Sequence, residues 1–197
     1  MTASVGSPKN KGRIVIVSGP SGVGKGTVLK ELLARNPRIF PSVSATTRSP
    51  REGEKEGINY YFLSKGEFEA KIARGEMLEY ASYSGNYYGT PADKVQEKLD
   101  LGIDVLLEIE VQGAKKVMDA RKDVISIFLL PPSREELERR LVGRGTEDAE
   151  TIRRRLEASG YEMGMAGLYQ HQVVNHTVEQ AAEEIEKILH AGCGQMD

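Results

Sequence analysis

Ser18-Gly19-Pro20-Ser21-Gly22-Val23-Gly24-Lys25-Gly26-Thr27 decides how this chain is read. The apolar run Ile14 to Val17 precedes it and predicts a buried strand; Val28, Leu29, Leu32 and Leu33 follow at helical spacing. Strand, glycine loop and helix in that order are the context a phosphate-binding loop (P-loop) requires. The glycines let the backbone curl so that successive N–H groups face an anion, and a helix N-terminus adds about half a positive charge. Lys25 supplies a point charge for the outer phosphates. Gly19, Gly24 and Lys25 fulfil G-x-x-x-x-G-K, but Gly26 stands where a metal-contacting Ser or Thr is usual. Thr27 or water then takes that contact. An incidental lysine in a glycine-rich turn would need no such flanks, so the chain is expected to bind a nucleoside triphosphate.

Composition narrows the class. The chain has 197 residues, a formal net charge of −2 and 28% charged residues, which suits one soluble domain and no wholesale nucleic-acid binder. No apolar stretch approaches the roughly 18–20 residues needed to span a bilayer. Residues 1–12 read as a flexible tail without a signal-peptide core. The single cysteine, Cys193, cannot close an internal disulfide, and a reducing cytoplasm is the expected home.

Beyond the first helix, six of the eight tyrosines lie between Tyr60 and Tyr88, which marks a small mixed insertion. Within it the pattern predicts a helix over 64–74 and antiparallel strands over 77–82 and 86–88, joined across Ser84-Gly85. The core pattern then resumes. Helices are expected over 92–101 and 112–121, strands over 105–108, 124–130 and 173–174, and final helices from 151 and over 179–190. Ser133 and Glu136 have capping-box spacing for a helix through Leu141. Alternating strands and helices predict an α/β fold, a parallel sheet with helices on both faces.

Three further constellations carry chemistry. Glu108 ends a buried strand, where an acid of a P-loop protein holds Mg²⁺, its water shell or a substrate hydroxyl. Glu110 shares that face if the strand continues, and otherwise either acid caps the next helix. Arg48 and Arg51, three apart in a Ser/Thr/Pro-rich segment, can converge on one anion, with Tyr60 and Tyr88 adding hydroxyls. Two loop arginines alone are more often solvated; beside a P-loop, a second anion site is what a phosphate acceptor needs. Arg139, Arg140, Arg144, Arg153, Arg154 and Arg155 suit either a flap over a transferring phosphoryl group or exposed i,i+4 pairs such as Glu136–Arg140. Arg139 and Arg153 are read as exposed pairs, whereas Arg144, held between glycines, is the catalytic candidate.

Six ordered motifs resemble the guanylate kinase family: segments 19–25, 42–54, 84–90, 107–113, 131–133 and 141–147. The resemblance covers residues 13 to about 189. It implies a P-loop nucleoside monophosphate kinase fold with a five-stranded parallel core, a GMP-binding insertion and a lid. By motif, 13–40, 91–142 and 165–197 would be core, 41–90 the GMP-binding region and 143–164 the lid of a single domain. It implies γ-phosphoryl transfer from ATP to GMP, with Mg²⁺, and tolerance of dGMP. Gly19, Pro20, Ser21, Gly22, Val23, Gly24, Lys25, Gly26, Thr27 and Asn175 would meet ATP. Ser44, Arg48, Arg51, Tyr60, Glu79, Tyr88, Thr90 and Glu108 would meet GMP. Lys25, Arg51, Arg144 and Arg155 would act on the transferring group; Thr27 and Glu108 would face the metal, directly or through water. From the residues alone Glu79 reads as an outward strand residue; the resemblance makes it the carboxylate that reads guanine. Four positions depart from the family: Gly26 lacks a hydroxyl, Glu108 and Glu110 stand where aspartates are often found, and His176 stands where an acid is common. Two rival readings are a guanylate-kinase-like module that holds a phosphopeptide, which characteristically lacks a working P-loop and lid arginines, and a small P-loop kinase with another acceptor. Retention of Lys25, Arg144 and Arg155 argues against the first, and Ser44, Glu79 and Thr90 against the second.

Overall fold

The computed structural model describes residues 11–83, 85–142 and 149–191. Arg144, Ser84 and Cys193 lie outside the described residues. The chain runs β1 (Ile14–Ser18), α1 (Lys25–Arg35), β2 (Ile39–Pro41), β3 (Ala45–Thr46), β4 (Tyr61–Phe62) and α2 (Lys65–Ala73). It continues β5 (Met77–Tyr83), β6 (Asn86–Pro91), α3 (Ala92–Asp100), β7 (Asp104–Glu108), α4 (Val111–Ala120) and β8 (Val124–Leu130). It ends α5 (Arg134–Val142), α6 (Ala149–Gly164), a 3-10 turn at Ala166–Leu168, β9 (His171–Val174) and α7 (Val178–Ala191). A five-stranded parallel sheet has the order β2-β7-β1-β8-β9, and a four-stranded sheet the order β4-β3-β6-β5.

The chain divides into two compact units. Among the described residues, one comprises 11–14, 38–83, 85–107 and 112–124; the other comprises 15–37, 108–111, 125–142 and 149–191.

In the second unit, Val15, Ile16 and Val17 of β1 and Ile127, Phe128 and Leu129 of β8 are fully buried. Unbroken apolar runs are what a strand covered on both faces requires. Helices α1 and α7 pack together, burying Val28, Leu29 and Leu32 on one and Ala181, Ala182, Ile185 and Leu189 on the other. Those spacings give each helix one apolar stripe.

The first unit holds the four-stranded sheet. Helix α2 opens on a capping box: Ser64 Oγ accepts from the Glu67 N–H at 3.2 Å, and the Glu67 carboxylate accepts from the Ser64 N–H at 2.8 Å. Phe68 of α2 is fully buried and stacks on Tyr87 with ring centroids 5.3 Å apart. Strand residues alternate between faces, so α2 covers the face of β6 bearing Tyr87, and Tyr88 and Thr90 share the opposite one. An Arg13–Asp104 ion pair at 2.6 Å braces the start of β7.

Several boundaries differ from expectation. Strand β6 runs on to Pro91, and β7 stops at Glu108, so Glu110 lies beyond the strand. Strand β2 has only three residues, one of them a proline, too short for a periodic signal. The box at Ser133 is half formed: its hydroxyl accepts from the Glu136 N–H at 3.1 Å, while the Glu136 carboxylate receives Arg139 and Arg140. Among the described residues no helix is long and apolar enough to cross a membrane.

Candidate active site

The P-loop sits in the second unit, where β1 delivers it and α1 receives it. Every residue from Pro20 to Thr27 except Val23 lines a cavity of about 360 Å³. Gly24 caps α1 with φ 91°, a left-handed backbone open to glycine, and a Cβ there would lie 2.8 Å from Asn175 Nδ2. A Cβ at Gly26 would meet nothing within 4 Å, so packing does not explain the missing hydroxyl.

The loop is tied from behind through one carbonyl. Val23 O accepts from Asn175 Nδ2 at 2.7 Å and from Arg140 Nη1 at 3.1 Å. Arg140 Nη2 also donates to Asn175 O at 3.1 Å, and its Nε donates to Glu136 at 2.8 Å. The expected Glu136–Arg140 pair is therefore present, but the same guanidinium also braces the loop. Asn175 is 3% exposed, and its Oδ1 is buried without a hydrogen-bond partner among the described residues. Lys25 Nζ makes a long contact of 3.4 Å to Gly19 O.

Sequence patterning gave no hint of Glu162, near the end of α6. Its Oε2 accepts from the Ser21 N–H of the loop at 3.2 Å. Burial pushes this carboxyl above the usual carboxylate range and nearby Glu110 adds to the shift, against the Ser21 N–H and Lys25. Arg155 lies seven residues earlier on α6, which puts it on the same helix face as Glu162. Glu108 and Thr27 are both exposed.

The first unit assembles the other set. Thr46 of β3 pairs with Tyr88 of β6, and Glu79 of β5 pairs with Thr90 of β6. Thr46 Oγ1 accepts from the Arg48 N–H at 3.2 Å, fixing where that arginine leaves the strand. The Arg48 guanidinium lies 5.5 Å from the Tyr60 ring centroid, and the Tyr60 and Tyr88 rings meet edge-on at 6.1 Å. Ser44 contributes its carbonyl to the Tyr61 N–H at 2.8 Å, so the strand pairing fixes its backbone. Arg51 is exposed.

Glu79 is only 9% exposed, the one buried residue of β5, so it is not an outward strand residue. Its Oε1 accepts from Thr90 Oγ1 at 2.8 Å, and a Cβ at Gly113 would come within 2.9 Å of Oε2. A carboxylate kept this far from water needs partners. Thr90 has one hydroxyl proton and gives it to Glu79, so toward a ligand it can only accept.

A family model describing guanylate kinase matches residues 11–192. A guanylate kinase of Prochlorococcus marinus is 51% identical over 92% of this chain and 98% of its own. One of Clostridium tetani is 52% identical over 92% of this chain and 86% of its own. The crystal structure of guanylate kinase from Anaplasma phagocytophilum superposes with a TM-score of 0.72 at 39% identity, covering 96% of this chain and 89% of that one. With a match across nearly all its length, this chain belongs to the guanylate kinase family.

Proposed function

We propose that this chain transfers the γ-phosphoryl group of ATP to GMP, and also to dGMP, by direct in-line displacement. The observation that carries the acceptor's identity is the buried Glu79–Thr90 pair, on the face of β6 that also bears Tyr88. Guanine presents its N1–H and N2–H₂ donors side by side. The Glu79 carboxylate accepts both, the Thr90 oxygen offers a further acceptor, and the Ser44 hydroxyl is left to donate to O6. Adenine would set an unprotonated N1 against the carboxylate and leave buried polar groups unpaired. Arg48, Arg51, Tyr60 and Tyr88 take the 5′-phosphate, so one mononucleotide meets both ends of a single strand face.

In the reaction a GMP phosphate oxygen forms a bond to the γ-phosphorus as the bond to the ADP oxygen breaks, with no covalent enzyme intermediate. The two nucleotides repel each other as anions, so the protein's task is to hold both and neutralise the charge that shifts. Backbone N–H groups of residues 19–27 bind the ATP phosphates, with Asn175 toward the adenine. Lys25, Arg51, Arg144 and Arg155 face the transferring group. Exposed oxygens of Thr27 and Glu108 suit Mg²⁺, and among the described residues no group of three or more His, Cys, Asp or Glu could hold a metal. Such a donor set fits an ion that keeps its waters and arrives on the triphosphate; bound there, it would neutralise phosphate charge. The proposed setting is purine nucleotide metabolism and GMP recycling in the cytoplasm, in keeping with a single cysteine.

A coupled assay of ADP formation with GMP, dGMP, AMP, CMP and UMP tests the assignment. Turnover is expected with GMP and dGMP alone. Equal rates with AMP would overturn the acceptor, and GMP binding without turnover would make the chain a binding module.

Glu162→Gln tests the donor side. The incoming triphosphate competes with the Glu162 carboxylate for the Ser21 N–H and meets its charge beside Lys25. Removing that charge is expected to tighten ATP about three- to tenfold at neutral pH. The raised carboxyl also means that the folded chain binds this proton more tightly than the unfolded chain. Its contribution to stability therefore falls as pH rises from the unfolded value through the raised folded one. The Tm advantage of Glu162→Gln should accordingly be larger at pH 8 than at pH 4; weaker ATP binding with no such trend would refute both points.

A further inference from the structure

We infer that Glu54 is a positioning residue for the acceptor's phosphate, one carboxylate that sets both Arg48 and Arg51. The proposal rests on the assignment of those two arginines as phosphate ligands. Glu54 Oε1 accepts from Arg48 Nη2 at 2.8 Å, and Oε2 accepts from the Arg51 N–H at 2.7 Å. The two carboxylate oxygens therefore take one arginine by its head and the other by its backbone.

The local chain is built for this. Glu54 N donates to Arg51 O at 3.1 Å, closing a four-residue turn whose third position, Gly53, has φ 84°. That conformation is the one a type II turn needs and glycine supplies. Backbone and side chain of Glu54 thus clasp Arg51 reciprocally. Arg48 is held from other sides as well, since its Nη1 donates to Ser49 O at 2.7 Å and its guanidinium lies beside the Tyr60 ring. The Arg48–Glu54 pair is mostly shielded, with side-chain exposures of 17% and 18%. In keeping with the pairing, the hydrogen bond from Arg48 holds the Glu54 carboxyl below its ordinary value, and the reciprocal bond raises Arg48. The Arg51 guanidinium has no partner of its own among the described residues.

Charge alone would argue against an acid at this place. A carboxylate beside two arginines cancels half their charge and repels a phosphate. Its benefit is geometric: an arginine already fixed by the protein loses little rotamer freedom when it binds. The two roles predict opposite signs. If Glu54 positions, Glu54→Gln weakens GMP although it makes the site more positive; if Glu54 only dilutes charge, the same change tightens GMP.

The experiment measures KM for GMP and for ATP, kcat, and inhibition by guanosine, which lacks the phosphate. It compares wild type, Glu54→Gln, Glu54→Asp and Arg48→Ala. For Glu54→Gln, KM for GMP is expected to rise about tenfold, with KM for ATP and the guanosine inhibition constant unchanged. Glu54→Asp keeps the charge but is one methylene too short to reach both partners, and should also weaken GMP. An unchanged or lower KM for GMP in Glu54→Gln overturns the proposal, as does an equal loss of guanosine binding, which would mark a merely structural role. Arg48→Ala separates the two layers. If it leaves KM for GMP unchanged, the phosphate site itself is misassigned and the proposal falls with it. If it raises KM for GMP while Glu54→Gln does not, the site stands and the positioning role alone falls.

Discussion

Lys25→Ala is expected to fold normally and to lose at least about 10²–10³ in kcat, the scale seen when one preorganised charge partner of a transition state is removed. The two halves of that expectation come from different observations. Folding is spared because Lys25 is half-buried at the first turn of α1 and, among the described residues, its ammonium makes one long hydrogen bond, 3.4 Å to Gly19 O. A substitution of that kind normally alters stability by no more than about 0.5 kcal/mol. The loop keeps its shape through other groups: Asn175 and Arg140 hold Val23 O, and Gly24 keeps its left-handed turn. Activity is expected to fall because, in the proposed reaction, the ammonium is the mobile point charge that follows negative charge from the γ-phosphoryl group to the leaving ADP oxygen. Lys25→Arg should not restore the rate, since a planar fork cannot occupy the place of a compact ammonium. Melting curves with single-turnover and steady-state rates check both halves. A folded Lys25→Ala enzyme retaining a tenth of wild-type kcat would remove Lys25 from the mechanism.

The parts of the molecule legible in the sequence were those written locally. The P-loop is one, because strand, glycines and helix are contiguous over residues 14–33 and their spacing has few other uses. The long elements are another, since β8 is apolar but for Ser126 and α7 carries periodic apolar residues. Strand β2, three residues ending in proline, carries no such signal, although the resemblance implied a fifth strand. Long-range roles were the least visible. Arg140 could be read as the partner of Glu136 four residues away, but its contacts with Val23 and Asn175 cross 117 and 35 residues of chain. Glu162 reaches Ser21 across 141 residues, and although Ser21 sits in the P-loop, the stretch of α6 around Glu162 carries no motif that points back to it. Glu79 shows the limit of patterning most clearly. From Met77 to Tyr83 it is the only buried residue, so a rule that buries the apolar positions inverts the strand. What buries it is its register opposite Thr90 and the approach of Gly113, both set by tertiary structure.

That burial makes Glu79→Gln the sharpest test of what the chain accepts. In the proposed acceptor site the carboxylate presents two acceptors to guanine's paired donors. Glutamine presents one acceptor and an NH₂ group, which sets a donor against a donor for GMP but offers a match to the unprotonated N1 of adenine. Leaving a buried donor unpaired costs about 1–3 kcal/mol, and sites built on such hydrogen bonds can discriminate by ~10⁴–10⁵. Glu79→Gln is therefore expected to lower kcat/KM for GMP by about 10–10² and to cut the preference for GMP over AMP by at least as much. The fold should survive, because the glutamine carbonyl can still accept the Thr90 proton that Glu79 Oε1 now takes at 2.8 Å. Thr90→Val provides the complement. It removes the hydroxyl that donates to Glu79 Oε1 while leaving the carboxyl group in place, so it should weaken GMP without admitting AMP. Measuring kcat/KM for both nucleotides with each variant separates loss of the acceptor pair from loss of its support. A folded Glu79→Gln enzyme whose ratio of GMP to AMP matches wild type would show that guanine is read elsewhere.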